Sequence, residues 1–168
     1  MKGSTKVIRR EDGVRFTRVF EFSPSMVFHA FADARKLALW WGPPECPIVE
    51  CSLDFRPGGI WHYRLVSSRS GEDVWSRAVF EEIVPDSRIV FVETSSNADG
   101  ASTLDRLPAH TTVTFAPDSG GTLLTVDISY TSVDEAHAAR SRGVERGFTR
   151  ALDQLELLLE NRSKGTQP

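Results

Sequence analysis

The sequence predicts an α+β fold in which a curved antiparallel sheet wraps around a long C-terminal helix. Three observations support this prediction. From residue 132 to about residue 161, apolar residues recur at the spacing of a helix. From residue 49 to residue 130, apolar and polar residues alternate in segments separated by short turns, which is typical of antiparallel strands. Two short helices follow the first strand, so the helices lie towards the two ends of the chain.

The C-terminal helix has a defined start and a continuous apolar face. Ser132 and Glu135 have the spacing of a capping box, which satisfies free N–H groups at a helix start. Beyond them, apolar residues recur at steps of three and four: Val144, Phe148, Ala151, Leu152, Leu155, Leu158 and Leu159. A helix of about 28 residues would be about 42 Å long, and it would need a large apolar partner surface.

Small residues lie beside this apolar face. Gly143 and Gly147 each cost about 1 kcal/mol relative to alanine within a helix, and Ala151 continues the strip that they form. Two interpretations are open. Either a strand packs very closely against the strip, or the missing side chains leave room for something else.

The N-terminal part predicts a strand and the two short helices. Residues 14–22 alternate like a half-buried strand. Ser23 and Pro24 have the character of a helix start, and Asp33 can cap a second helix. These helices end at the W-W-G-P-P segment, residues 40–44. Two adjacent tryptophans cannot both face the same way, so we expect at least one to project into a cavity or over its mouth.

The strands supply candidates for a pocket lining. By alternation, bulky residues of the strands face inward and two aromatic residues of the helices join them: Trp61, Tyr63, Phe91, Phe115, Trp41 and Phe148. For any single one, the alternative is ordinary core filling. Polar candidates are Tyr63, Arg77 and Glu93. An error of one residue in strand parity would bring in His62 or Arg64 instead. The polar stretch 95–109 predicts a lid or a disordered loop.

Composition limits the classes of function. The 168 residues fit one domain, which we place at 14–161 between a flexible N-terminal segment, 1–13, and a flexible tail, 162–168. The net charge is −3 with interspersed charges, so there is no basic face for nucleic acid. Neither a signal peptide nor a membrane-length apolar window is found, and we expect a soluble cytoplasmic protein.

The two cysteines do not predict a metal site or a reactive thiol. Cys46 and Cys51, with His62 nearby, could chelate a metal in principle, but zinc needs further ligands at regular spacing. The simpler interpretation is one loop thiol and one buried strand thiol. Cys51 shares an inward parity with Val49 and Leu53, yet no histidine is placed to activate it.

Six motifs in order resemble a known superfamily. They are S-P-S-x-V-F-x-A-F at 23–31, W-W-G-P at 40–43, D-x-R-P-G-G-x-W-H-Y at 54–63, E-E-I-V-P-x-x-R-I-V-F at 81–91, T-x-V-T-F at 111–115 and G-F-T-x-x-L-D-Q-L at 147–155. Together they are similar to the SRPBCC, or START-like, superfamily. The branch that they resemble is named after the activator of heat-shock protein 90 ATPase, and the resemblance covers about residues 14–160.

The resemblance implies a helix-grip fold of the Bet v-like type, with a deep apolar cavity between the sheet and the C-terminal helix. Members of the superfamily bind lipids, sterols, polyketides or other hydrophobic small molecules, and a few are cyclases or hydrolases. No shared catalytic signature defines this branch, so the catalytic residues stay unassigned. The eukaryotic co-chaperone behind the branch name has an additional N-terminal domain that engages the chaperone, and we expect no room for one in this chain.

We therefore expect the cavity to bind a hydrophobic small molecule without a cofactor, and an exposed sheet edge is compatible with a homodimer. The expected ligand-binding residues are Trp41, Trp61, Tyr63, Arg77, Phe91, Glu93, Phe115, Gly147, Phe148 and Ala151. One alternative is an enzyme of cyclase or hydrolase type acting on an aromatic or polyketide-like substrate, which needs two or more ionisable groups facing the cavity. Another is a chaperone-linked interaction module, with a filled core and an exposed apolar patch.

Overall fold

The computed structural model describes residues 3–103 and 105–165, and it confirms the α+β helix-grip prediction. Within these residues the chain forms eight strands and four helices. The strands are β1 (Lys6–Arg10), β2 (Gly13–Phe20), β3 (Ile48–Leu53), β4 (Ile60–Val66), β5 (Asp73–Val84), β6 (Arg88–Ser96), β7 (Ala109–Asp118) and β8 (Gly121–Tyr130). The helices are α1 (Pro24–His29), α2 (Ala34–Trp40), α3 (Val133–Ser141) and α4 (Val144–Gly165).

The strands of the described residues form a single sheet in which every neighbouring pair is antiparallel. Their order is β1-β2-β8-β7-β6-β5-β4-β3. Strand β2 lies beside the last strand, from Gly13 opposite Ser129 to Phe20 opposite Thr122. An early strand of the chain therefore pairs with the last strand. This pairing makes the sheet continuous, so that one concave face receives helix α4.

Packing fixes helix α4 on this face. Leu152, Leu155 and Leu159 are each at most 2% exposed, and burying one leucine stabilises a fold by about 1.5–3 kcal/mol. The ring of Phe148 also meets that of Phe16 on β2, edge to face, with the centroids 4.8 Å apart. The sheet thus supplies the large apolar partner surface that the amphipathic helix requires.

The two short helices begin at the predicted caps. The Oγ atom of Ser23 accepts a hydrogen bond of 3.2 Å from the backbone N–H of Met26, and Pro24 takes the first helical position. The Oδ1 atom of Asp33 accepts one of 2.8 Å from the backbone N–H of Arg35. Both caps satisfy N–H groups that have no partner within a helix.

The C-terminal helical segment consists of two helices, which corrects the predicted extent of a single helix of about 28 residues. Helix α3 begins as predicted, with the Oγ atom of Ser132 accepting a 3.1 Å hydrogen bond from the N–H of Glu135. It ends at Ser141 with Arg142 as its C-cap, and Gly143 follows with a φ angle of +83°. Residues that carry a side chain rarely adopt this backbone conformation, whereas glycine adopts it readily and often follows the end of a helix. No helix of the described residues combines the length and apolarity needed to span a membrane.

The N-terminal segment contains a strand where we expected flexibility within residues 1–13. Strand β1 pairs with β2, with Lys6 opposite Thr17. Four of its five residues are exposed, so it lacks the apolar alternation that reveals strands in a sequence. At the other end, helix α4 extends into the expected tail, 162–168, of which residues 166–168 lie outside the described part of the chain.

A β-bulge changes the inward-facing residues at the start of strand β3. The register against β4 shifts between Ile48 and Glu50. As a result Ile48 is 8% exposed and Val49 is 49% exposed, the reverse of what simple alternation predicted. After the bulge, Cys51 and Leu53 are half-buried, in agreement with the predicted parity.

Candidate functional site

A cavity of about 300 Å³ lies between the inner face of the sheet and the first turns of helix α4. Its walls come from strands β4, β6, β7 and β8, the segment after α2, the loop between β6 and β7, and the α3–α4 junction. Its main apolar lining residues are Trp41, Pro43, Leu65, Leu107, Ile128, Val144 and Phe148. Small-molecule sites are typically apolar spaces of about 300 to 1,000 Å³, so this cavity is at the small end of that range.

The cavity is bounded on the helix side by a residue without a side chain. A Cβ atom added to Gly147 would meet only the Cγ atom of Pro43, at 3.7 Å, which is an ordinary contact. No strand therefore packs closely against Gly147, and the glycine lines open space. Gly143 serves the helix break instead, and Ala151 is buried in the core. The small residues thus have separate roles: Gly143 ends a helix and also lines the cavity, Gly147 leaves room on helix α4, and Ala151 belongs to the core.

The two adjacent tryptophans diverge at the end of helix α2. Trp40 is fully buried, and its Nε1 atom donates a hydrogen bond of 3.0 Å to the carbonyl of Ala30. Trp41 lines the cavity. Its ring centroid is 4.7 Å from that of Trp61 and 5.4 Å from that of Phe148, both in edge-to-face geometry. Trp41 therefore separates the cavity from the aromatic core behind it.

One end of the cavity is polar. The hydroxyl of Tyr63 donates a hydrogen bond of 2.9 Å to Oε2 of Glu93 and accepts one of 3.1 Å from Nε1 of Trp41. The Nη1 atom of Arg106 lies 3.9 Å from Oε1 of Glu93, and its Nη2 atom donates a hydrogen bond of 2.8 Å to Oγ of Ser76. A phenol, a carboxylate and a guanidinium thus form one connected network beside an otherwise apolar space.

Burial shifts the titration of the groups at this end. The pKa of Glu93 lies above its ordinary value because burial disfavours the carboxylate, although the charge of Arg106 opposes the shift. The pKa of Tyr63 lies well above its ordinary value because of burial and the charge of Glu93. Burial also raises the pKa of Tyr130, which lines the same cavity, to about 12. Both tyrosines are neutral phenols near neutral pH.

The loop between β6 and β7 closes the polar end and is anchored by Ser95. The Oγ atom of this buried serine accepts hydrogen bonds from the backbone N–H of Arg106, at 3.0 Å, and from the hydroxyl of Thr103, at 2.8 Å. These bonds hold the part of the loop from which Arg106 and Leu107 reach the cavity. Within the stretch 95–109, which we expected to be a lid or a disordered loop, the described residues Ser95, Arg106, Leu107 and Ala109 line the cavity, and residue 104 lies outside the described part of the chain.

The expected ligand-binding residues divide into three groups. Five line the cavity: Trp41, Tyr63, Glu93, Gly147 and Phe148. Four are buried in the core and do not line the cavity: Trp61, Phe91, Phe115 and Ala151. Arg77 lies on the other face of the sheet, which corrects the prediction. Its neighbours Ser76 and Ala78 face inward, and its Nη1 atom donates a hydrogen bond of 3.3 Å to Oγ of Ser102.

The parity of strand β4 excludes the alternative pair from the cavity. Trp61 and Tyr63 are 1% and 2% exposed. His62 faces the opposite way, with its ring stacked on that of Trp75 at a centroid distance of 4.8 Å. Arg64 shares this outer face and forms ion pairs there.

Sequence reasoning missed several lining residues: Leu65, Arg106, Leu107, Thr111, Ile128, Tyr130 and Val144. A signal existed for five of them: Leu65, Thr111, Ile128 and Tyr130 continue the inward alternation of their strands, and Val144 lies on the apolar face of the C-terminal helical segment. No such signal exists for Arg106, which lies in a segment without periodicity.

The two cysteines are free thiols on separate elements. Cys46 lines the cavity, and Cys51 lies in strand β3. Burial raises the pKa of both thiols, which lowers the fraction of reactive thiolate. In the described part of the chain, no group of three or more His, Cys, Asp or Glu side chains is arranged to hold a metal ion.

Known proteins share this architecture. The solution NMR structure of a protein from Arthrobacter aurescens is 22% identical, with a TM-score of 0.84 over 93% of this chain and 91% of that one. The crystal structure of a protein from Mycobacterium smegmatis is 24% identical, with a TM-score of 0.82 over 92% and 97%. A protein from Chromobacterium violaceum is 26% identical, with a TM-score of 0.74 over 90% and 99%. These similarities show a common fold.

The family assignment comes from the sequence match. A comparison with curated proteins finds no match. Residues 21–160, which include the cavity-lining residues, match the family described as "Activator of Hsp90 ATPase homolog 1-like protein". This match agrees with the resemblance of the six motifs. The chain therefore belongs to the family of Activator of Hsp90 ATPase homolog 1-like proteins.

Proposed function

We propose that the protein binds a hydrophobic small molecule in the cavity between the sheet and helix α4. The observation that carries this proposal is an unfilled space of about 300 Å³ with mainly apolar walls, located where Gly147 leaves the helix without a side chain. The expected chemistry of the superfamily points the same way. An apolar ligand would gain about 25 cal/mol per Å² of surface removed from water.

The polar end of the cavity favours a ligand with one polar group. The body of such a ligand would contact Trp41 and Phe148, and its polar group would approach Glu93 and Arg106. A hydroxyl or carbonyl can exchange hydrogen bonds with this network. A wholly apolar ligand would instead leave these groups with their internal partners alone and would keep water from their remaining hydrogen-bonding sites. We therefore favour an apolar molecule with a hydroxyl or carbonyl group over a plain hydrocarbon.

The chaperone-linked alternative predicts a filled core with an apolar patch outside. The cavity supports the binding proposal against it, since an unfilled space with mainly apolar walls lies on the inside of the fold. Pull-down of partner proteins would become the next experiment only if no small molecule bound.

A thermal-shift screen tests the proposal. Purified protein is heated with fatty acids, sterols, flavonoids and aromatic polyketides, one class at a time. A ligand at 100 times its dissociation constant stabilises the folded state by about 2.7 kcal/mol, which gives a clear rise in melting temperature. A saturable rise for one chemical class is the expected result. An unchanged melting temperature across the whole panel would contradict the proposal.

An enzyme acting on a ligand in the same cavity is the second candidate. The observation that favours it is the pair Tyr63 and Glu93, two ionisable groups at one end of the cavity with raised pKa values. A carboxyl group with a raised pKa can act as a general acid or base near neutral pH. Each compound that binds should be incubated with wild-type protein and with Glu93→Gln, and the products analysed by mass spectrometry. Turnover that is lost in the variant supports the enzyme, whereas binding without turnover in either protein contradicts it.

A further inference from the structure

We propose that the ligand is an anionic amphiphile, whose apolar part occupies the cavity and whose head group is bound by arginines beside it. This inference rests on the proposed function and adds the chemical class of the ligand. It starts from a recess of about 580 Å³ on the outer side of the α3–α4 junction. The recess and the cavity share part of their lining, namely Pro43, Cys46, Arg142, Gly143 and Gly147. A molecule that fills the cavity can therefore extend into the recess.

The recess is lined by four arginines. Arg142 and Arg146 belong to the α3–α4 junction and the first turn of α4, and Arg150 follows one turn later. Arg69 comes from the turn between β4 and β5. Among the described residues of this lining, the single carboxylate is that of Glu45, which is paired with Arg150. Positive charge is thus concentrated here, although the chain as a whole has a net charge of −3.

Among the described residues, three of these arginines have guanidinium groups without an ion-pair or hydrogen-bond partner. Within residues 3–103 and 105–165, the guanidinium groups of Arg69, Arg142 and Arg146 form neither an ion pair nor a hydrogen bond, and all three residues are exposed. By contrast, Arg15 and Arg140 elsewhere on the surface are paired with carboxylates. A guanidinium presents a fork of N–H donors that matches a carboxylate or a phosphate. Three unpaired forks around one recess can enclose an anionic head group.

The amino end of helix α4 adds to the positive potential at the recess. Gly143 and Val144, at the amino end of the 22-residue helix, line the cavity next to the recess. The amino end of a helix carries a partial positive charge and attracts anions within about one turn. This contribution has the same sign as that of Arg142 and Arg146, so the two act together on a group placed at the junction.

The inner end of the cavity is a poor place for the same head group. Glu93 lies there, and a second negative charge beside its carboxylate would be repelled. Arg106 is already engaged by Ser76 and lies near Glu93. Burying an anion in the cavity would also remove its hydration, whereas the open recess preserves part of it. The anionic head group therefore belongs at the arginine end. The apolar part lies inside the cavity, where a neutral hydroxyl or carbonyl group of the same molecule can approach Glu93 and Arg106.

Four probes test this assignment by calorimetry at neutral pH and low ionic strength: decanoate, decyl phosphate, decanol and inorganic phosphate. The variant is the double substitution Arg142→Gln/Arg146→Gln. The matched control is Arg35→Gln/Arg56→Gln, which removes the same net charge at exposed positions whose nearest carboxylates are local, Asp33 and Asp54. Melting temperatures confirm that both double variants are folded.

We expect decanoate and decyl phosphate to bind wild-type protein at least about tenfold more tightly than decanol, because each anionic head gains charge-assisted hydrogen bonds. In Arg142→Gln/Arg146→Gln, the affinities for decanoate and decyl phosphate should fall to that for decanol. In the control Arg35→Gln/Arg56→Gln, both affinities should stay at their wild-type values. Equal affinities for decanoate and decanol in wild-type protein would overturn the inference, as would inorganic phosphate binding as tightly as decyl phosphate. If wild-type protein binds decanol as tightly as it binds the anionic probes, the inference fails and the proposed function stands. If none of the ten-carbon probes binds, the inference is overturned, and the proposed function fails with it only when the thermal-shift panel also gives no shift.

Discussion

The hydroxyl of Tyr63 on strand β4 donates a hydrogen bond of 2.9 Å to Oε2 of Glu93 on strand β6, across the intervening strand β5. The same oxygen of Tyr63 accepts the N–H of Trp41. The polar end of the cavity is therefore connected to an aromatic wall residue. This relationship determines how the site responds to mutation and to pH.

The substitution Tyr63→Phe should destabilise the fold by about 1–3 kcal/mol, because it leaves Glu93 and Trp41 without their shared partner. Urea denaturation measures the change. The matched control is Tyr130→Phe, since Tyr130 also lines the cavity and no hydrogen bond from its hydroxyl is found within the described residues. The control should change stability by about 0.5 kcal/mol or less. Equal losses in the two variants would mean that the Tyr63–Glu93 bond contributes nothing specific.

The raised pKa of Glu93 predicts a pH dependence of stability. The folded state holds a proton on Glu93 at a pH where the unfolded state has lost it, so stability falls as pH rises from the ordinary value of 4.5 through the higher folded pKa. This contribution is fully present below the ordinary value. Glu93→Gln does not titrate and should lack this fall. Free energies of unfolding are measured against pH for wild type, Glu93→Gln and the surface control Glu11→Gln. A wild-type profile parallel to that of Glu93→Gln would contradict the prediction.

A buried ion pair joins helix α4 to the inner face of strand β2. Arg18, on the inner face of β2, is 4% exposed and donates hydrogen bonds to Glu156 and, at 2.6 Å, to Asp153. We expect Arg18→Met to cost about 3–5 kcal/mol, since it leaves the buried Glu156 unpaired. The double substitution Arg18→Met/Glu156→Met should recover most of that loss.

A matched surface variant separates burial from pairing in this cluster. Asp153 is 59% exposed, so Asp153→Asn should cost about 1 kcal/mol or less. Guanidinium denaturation gives all the values. The account fails if the double variant is no more stable than Arg18→Met alone.

Two glycines one turn apart should respond to alanine with opposite signs. Gly143 has a φ of +83°, so Gly143→Ala should destabilise by about 1–2 kcal/mol. Gly147 lies within α4 with open space beside it, and Gly147→Ala should stabilise by about 1 kcal/mol. Melting temperatures of the two variants give the sign directly. A rise for Gly143→Ala would mean that the junction can adopt another conformation.

Much of the fold followed from local patterns. Alternation placed Trp61 and Tyr63 on the buried face, and the caps at Ser23 and Ser132 were recognisable because their chemistry is local. The same alternation led to the cavity-lining Glu93. These features depend on residues that are near one another in the sequence.

Other features depend on distant partners and have no local signal. Gly143 and Gly147 look alike in the sequence, yet Gly143 ends a helix at a positive φ and Gly147 lies within a helix with open space beside it. The bulge that turns Val49 outward is defined by its register against β4. Arg106 reaches the cavity because Ser95, eleven residues earlier, holds its backbone. Arg18 lies at an inward-facing position, and its charge can be buried there because Glu156 pairs with it.

The central claim is that the space beside Gly147 receives the ligand. The direct measurement is the dissociation constant of a compound found in the thermal-shift screen, determined by calorimetry for wild type, Gly147→Ala and Gly147→Leu. Alanine adds one carbon atom in ordinary contact with Pro43, so the affinity of Gly147→Ala for the ligand should stay within a few-fold of the wild-type affinity. Leucine would fill part of the cavity and should weaken binding by at least about tenfold, or 1.4 kcal/mol. Ile128→Phe would fill the same space from the sheet side and should weaken binding to a similar extent. Unchanged affinity in folded Gly147→Leu and Ile128→Phe would contradict the claim.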